Sequence, residues 1–208
     1  MSNTREVARL NPDERREQIL RVAATHYARE DQDTVSIQAI AEDAGVARAL
    51  VYHYFPGKDA LLNAVLQREA EKLLAATAPI DGLSPRANLE RSLGAYLDHF
   101  SASTGRLRDF HMPRSTTASL VADLVARNHA VQVVRVLHHL GLDDVPAMRM
   151  AIAAWLGFVT EAARQAPIYP SVPRTETIRR CMQALSAVTD RSPKEPSSLR
   201  LHQKEAGT

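Results

Sequence analysis

Apolar residues recur at helical spacing along almost the whole 208-residue chain, and no segment shows the alternating, β-branched, turn-bounded pattern of a strand. The pattern predicts an all-α protein of about nine helices. Asn11-Pro12-Asp13-Glu14 opens the first with an N-cap, a proline at the first helical position and a glutamate set for a reciprocal cap. An apolar stripe follows through Ile19, Leu20, Val22, Ala23, Ala24, Tyr27 and Ala28. Ser36 then caps a short helix with Ile37, Ile40, Ala41 and Ala44 on one side. Gly45 stops it where a left-handed backbone is expected, and Val46 folds back on it. A third short helix turns Val51 and Phe55 inward, four residues apart, so that Arg48 and Tyr52, and Ala49 and His53, face elsewhere.

Beyond the Pro56-Gly57 turn the pattern predicts a helix over about 58–78, a break at 79–83, and a helix from Ser84-Pro85 carrying Leu89, Leu93, Tyr96, Leu97 and Phe100. A looser segment over 101–114 precedes a long helix that begins near Ser115-Thr116-Thr117 and ends at Gly141. Two more helices are expected over about 145–165 and 175–189, joined by a stiff connector containing Pro167, Pro170 and Pro173. From Arg191 onward apolar surface is too scarce to fold, and the tail is expected to be disordered. The predicted organisation is a flexible N-terminal arm (1–10), a helix-turn-helix domain (11–57), a helical body (58–190) and the tail (191–208).

A helix as short as the third fits the major groove of duplex DNA. Arg48 is the best base reader, since arginine can donate twice to guanine O6 and N7, while Ala49 and Leu50 suit methyl contact and close approach. Tyr52, His53 and Tyr54 can donate to phosphate oxygens, contacts that fix position more than sequence. Lys58 adds a cation beside a helix N-terminus, itself attractive to anions. With Ser36 and Gln38 on the preceding helix, these residues form the candidate DNA-binding set. Arg5 and Arg9 in the arm are expected in a solvated terminus; entry into an adjacent minor groove is the alternative.

The run Ile40-Ala41, Ala44-Gly45-Val46, Val51-Tyr52, Tyr54-Phe55, Lys58 and Leu61-Leu62 resembles the DNA-binding domain of TetR-family transcriptional regulators. The resemblance is strong over about residues 12–66. It implies a homodimer of two-domain subunits, paired through the last two helices, with middle helices of the body surrounding an inducer. Two departures stand out. Ala47 occupies the position where a serine often caps the recognition helix, and Leu50 replaces a small or hydroxylated residue. The family's usual glycine after the first helix is also absent, with Glu30-Asp31-Gln32-Asp33 in that connection. Loss of the cap removes about 0.5–2 kcal/mol of local stability unless packing compensates.

Charge tempers the DNA assignment. The net charge is only +2, and residues 1–66 hold 8 Arg and Lys against 10 Asp and Glu. Position therefore has to supply what the sum does not, by gathering Arg48 and Lys58 on one surface. A single cysteine, Cys181, excludes an internal disulfide framework. No uninterrupted apolar run approaches the roughly 18 residues of a membrane span, and the N-terminus has no apolar signal region, so a cytoplasmic protein without membrane partners is expected.

In the body, Tyr96, Phe100, His111, Met112, Leu124, His129, Trp155 and Phe158 combine apolar walls with a few polar groups and are the candidate ligand-binding set. Plain core packing is the competing explanation for each. Ala151, Ala154, Phe158, Ile178, Met182 and Leu185 are the candidate dimerisation residues, on two helices suited to a four-helix interface. A dimer suits DNA reading, because recognition helices about 34–36 Å apart meet successive major grooves of a palindrome. His138-His139 with His129 raises metal sensing, but adjacent histidines diverge on a helix and no Cys or carboxylate completes a zinc spacing; no metal or cofactor is expected. Catalysis is disfavoured by the absence of a Glu-x-x-His pair, a Gly-x-Ser-x-Gly elbow, a phosphate-binding Gly loop or a Cys-x-x-Cys pair. The sequence thus predicts a regulator, most simply a repressor, of double-stranded palindromic DNA, released by a small-molecule inducer. A body that binds a protein partner is the alternative.

Overall fold

The computed structural model describes residues 10–30, 33–102 and 118–190. The N-terminal arm, the C-terminal tail, the looser segment after residue 102 and the candidates His111 and Met112 lie outside the described residues. Eight helices occur among the described residues, where about nine were expected, and no strand: α1 (Pro12–Arg29), α2 (Ile37–Asp43), α3 (Arg48–Tyr54), α4 (Lys58–Ala76), α5 (Pro85–Ala102), α6 (Ala118–Leu140), α7 (Pro146–Gln165) and α8 (Arg174–Thr189).

The helix starts follow from local chemistry. Asn11 Oδ1 accepts from the Glu14 amide at 2.9 Å while Glu14 Oε2 accepts from the Asn11 amide at 2.9 Å, a complete capping box on α1. Ser36 Oγ caps α2 by accepting from the Ala39 amide at 3.4 Å. α2 ends in a Schellman motif: the Val46 amide donates to Ala41 O and the Gly45 amide to Glu42 O, with Gly45 at φ +63°. Gly141, at φ +58°, closes α6 in the same way, Leu142 donating to Leu137 O.

The chain divides into two compact units, Met1–Lys72 with Ala102–Val125 and Leu73–Ser101 with Ala126–Thr208. The first is organised around Ile19, Leu20, Ala23 and Tyr27 of α1, Ile37, Ile40 and Ala41 of α2, Val51 of α3 and Phe55, all buried. Each fully buried Ile or Leu there contributes about 1.5–3 kcal/mol relative to exposure. Leu61, Leu62 and Val65 of α4 belong to the same core. The apolar face of the first two turns of α4 thus helps to close the three-helix core.

The core of the second unit joins Leu89 and Leu93 of α5, Val133, Val136 and Leu137 of α6, Ile152, Trp155, Leu156 and Val159 of α7, and Cys181, Met182 and Leu185 of α8. The Trp155 indole N–H donates to Cys181 O at 2.8 Å, tying α7 to α8. A smaller cluster joins Leu97, Phe100 and Ala163. At the start of α8, Arg174 lies over Gly94, where a Cβ would stand 2.5 Å from its Nη2, and forks onto Asp98 at 3.0 and 2.8 Å. No helix among the described residues is long and apolar enough to cross a membrane.

Candidate nucleic-acid interface

α3 lacks a side-chain N-cap, as Ala47 implies. It is held instead by its inward residues, with Val51 fully buried and Phe55 nearly so. Burial of that stripe leaves Arg48, Ala49, Tyr52 and His53 exposed along the opposite side. Arg48 Nη2 donates to Tyr52 Oη at 3.2 Å, and its guanidinium carbon lies 5.4 Å from the Tyr52 ring centroid. The pair is an aromatic platform that extends the guanidinium with most of its donors unused. His53 meets the Tyr54 ring edge-on at 5.4 Å.

Other candidates are less free. Leu50 and Tyr54 are half-buried, and Tyr54 packs against the apolar core of the unit, so its ring supports the helix. Gln38 is exposed on α2 but donates to Glu42 Oε1 at 2.6 Å, and Ser36 is engaged as the α2 cap. Lys58 Nζ donates to Asp33 O at 2.8 Å, which uses one of its three donors.

Several residues that orient this face carry no local sequence signal. Gln18 of α1 donates to Ala44 O at 3.0 Å, fixing the turn between α2 and α3. Tyr27 Oη donates to Lys58 O at 3.2 Å and so positions the start of α4; burial, aided by the Asp59 charge, raises its phenol pKa and keeps it a donor. His26 stands 2.9 Å from both Glu30 and Asp43, linking the ends of α1 and α2. Arg68 of α4 donates to Glu17 of α1 and to Glu69, and this hydrogen bond holds the Glu17 carboxyl below its ordinary range. Acids that outnumber bases in the sequence count are thus partly spent inside the unit.

A family described as bacterial regulatory proteins, tetR family, matches residues 19–65, which span α1 to the first part of α4. A TetR-family transcriptional regulator from Streptomyces coelicolor is similar over 86% of this chain and 82% of its own, with 31% identity and a TM-score of 0.72. The protein belongs to the TetR family. A TetR-like regulator from Rhodococcus sp. RHA1 shares the fold at 21% identity and a TM-score of 0.65, over 88% of this chain and all of its own. The transcriptional regulator FadR from Bacillus subtilis, solved in complex with stearoyl-CoA, shares it at 12% identity and a TM-score of 0.62, over 83% and 97% of the two chains. No curated protein matches the chain. This TetR-family member is accordingly a DNA-binding transcriptional regulator.

In its body the candidate ligand residues separate. Tyr96 of α5 and His129 of α6 converge on Thr160 of α7, which the sequence did not single out. The Thr160 hydroxyl donates to Leu156 O at 2.9 Å, so Tyr96 Oη, 2.9 Å away, donates to it, and His129 Nε2 lies 3.5 Å off. Burial pushes the Tyr96 phenol up and the His129 imidazole down, favouring the neutral form of each. Phe100 stacks beside Tyr96 with ring centroids 5.0 Å apart. Trp155 is engaged in the α7–α8 core, and Leu124 is buried but belongs to the other unit. Phe158 is 47% exposed and lines no interior.

The dimerisation candidates also separate. Ala154 and Phe158 are exposed and Ala151 is half-buried, an outward stripe on α7. Met182 and Leu185 are buried in one core cluster with Ile152 and Trp155, and Ile178 is half-buried. The apolar side chains that α8 exposes among the described residues are Ala187 and Val188.

Proposed function

We propose that the protein is a transcriptional repressor that binds a palindromic operator as a homodimer and is released by a small molecule held in its helical body. The observation that carries the DNA-reading half is the outward face of α3, where Arg48 stacks on Tyr52 beside Ala49 and His53 while Val51 and Phe55 anchor the helix. Release is a population shift: a ligand bound better by the DNA-incompetent state would move α4 and change the separation of two recognition helices. The neutral hydroxyl and imidazole groups of Tyr96, Thr160 and His129, beside Phe100, favour an apolar ligand with an uncharged polar group. That a fold relative was solved with an acyl-CoA supports a small-molecule input without naming this one.

The test is selection of bound duplexes from a random DNA pool at physiological salt, with Arg48→Ala alongside. The wild-type protein should enrich an inverted repeat, and the variant should lose preference at one base pair per half-site, at a cost of about 1–3 kcal/mol. No enrichment by the wild type would sink the proposal. Ile168, Tyr169 and Val172, all exposed in the α7–α8 connector, favour a second arrangement in which the body binds a protein. Loss of the operator response to a protein partner, but to no small molecule, on replacing these three by serine would establish it.

A further inference from the structure

The last carbonyls of a helix have no intrahelical partner and carry the negative end of its dipole. At most helix ends a glycine turn or water satisfies them. At the end of α4 they are instead taken by side chains from two other helices of the same unit. Arg91 of α5 donates from Nη1 to Ala76 O at 2.8 Å and from Nη2 to Ala78 O, and Ser92 Oγ donates to Thr77 O at 3.0 Å. Arg135 of α6 donates from Nη1 to Leu74 O at 3.0 Å, and Gln132 donates to Thr77 Oγ1 at 2.6 Å. The Thr77 hydroxyl, 3% exposed, passes its own proton to Leu73 O at 2.7 Å.

A helix end orphans four carbonyls, and at this one the guanidinium groups of two different helices, α5 and α6, share them. Both are partly desolvated, and burial lowers the Arg135 pKa, a cost its hydrogen bonds must offset. Arg91 Nε is buried and lacks a partner among the described residues, an unsatisfied donor in the present arrangement. These same two helices carry Tyr96 and His129. Helix shifts in switching proteins are of about 1–2 Å, and a hydrogen bond near 3 Å does not survive such a displacement.

We propose that Arg91 and Arg135 are positioning residues that clamp the C-terminal end of α4 to two helices, α5 and α6, holding this helix, and through it the recognition helix, at one setting. A ligand that slides α5 against α6 would break one side of the clamp first. This proposal rests on the operator-binding function above and adds the joint through which the body acts.

The experiment repeats the random-pool selection with purified full-length wild type, Arg135→Ala, Arg135→Lys and Gln132→Ala, each checked for cooperative thermal unfolding, and reads the spacing between enriched half-sites. The wild type should show a single preferred spacing. Arg135→Ala should keep the half-site sequence but lose that single spacing, enriching neighbouring spacings as well, and Arg135→Lys, which retains a cationic donor for Leu74 O, should restore it. If Arg135→Ala does not fold, Gln132→Ala, which removes only the Thr77 contact, should show the broadened spacing. Variants that bind more weakly at an unchanged spacing would reduce the clamp to a structural cap and overturn the proposal. A wild type that enriches no inverted repeat would sink this inference and the function it rests on together, which separates the two failures.

Discussion

Single residues on and beside α3 have separate roles in the proposed function, as readers, anchors and turn formers. Gly45 forms the turn that ends α2: it sits at φ +63° and a Cβ there would meet nothing within 4 Å, so any penalty for a side chain is conformational. Placing an L-residue in that region costs about 1–2 kcal/mol, partly offset by the lower entropy of the unfolded chain. Gly45→Ala should thus lower stability by roughly 1 kcal/mol in urea titration, with the helical content of the folded state unchanged. Equal midpoints would show that the turn does not require glycine. Lys58 has a different signature, because its ammonium would contact phosphate and not a base edge. Lys58→Ala should weaken binding to all sequences alike and reduce the slope of log affinity against log salt by about one contact's worth. A change in base preference instead would place Lys58 among the readers.

At the scale of elements, the seam between α1 and α4 depends on the Glu17–Arg68 contact. The hydrogen bond from Arg68 lowers the Glu17 pKa below its ordinary value of 4.5. A carboxylate with a depressed folded pKa stabilises the fold above its unfolded value, and that contribution is lost as pH falls through the folded one. Glu17 is nearly half exposed, which limits the effect to about 1 kcal/mol or less. Glu17→Gln should therefore melt lower than wild type at neutral pH and converge with it as the pH drops below 4.5. A difference that persisted undiminished into acid would show that the carboxylate charge is not the source. Local starts and stops were legible throughout: the capping box at Asn11, the Ser36 cap, the uncapped Ala47 and the Gly45 and Gly141 terminations all lie where the residue types put them. The reason is that a cap engages residues within about one turn, so its whole circuit is contained in adjacent sequence.

At the scale of the molecule, the proposed pairing of two subunits turns on which apolar positions remain outside after each core has closed. On α7, Ile152, Trp155, Leu156 and Val159 go inward, which leaves Ala151, Ala154 and Phe158 outward at spacings of three and four. Phe158→Glu should convert a dimer into a folded monomer in sedimentation equilibrium and abolish tight binding to a palindromic duplex while leaving the helical signal intact. A variant that remains dimeric would move the interface off α7.

The amphipathic stripes, the helix-turn-helix and the family resemblance were determined by the sequence alone, because each rests on periodicity and on interactions a few residues long. The outward orientation of Arg48, Tyr52 and His53 follows from the same periodicity once Val51 and Phe55 are assigned to the core. Tertiary structure decided the remainder. Gln18, His26 and Tyr27 position the DNA-reading unit through partners 26, 17 and 31 residues away, which no local pattern encodes. The extension of the first core into α4, the burial of Met182 and Leu185, the meeting of Tyr96, Thr160 and His129, and the clamp on the end of α4 are equally non-local. Each depends on which face of an amphipathic helix finds a partner, and an apolar stripe states only that it must be buried, not against what.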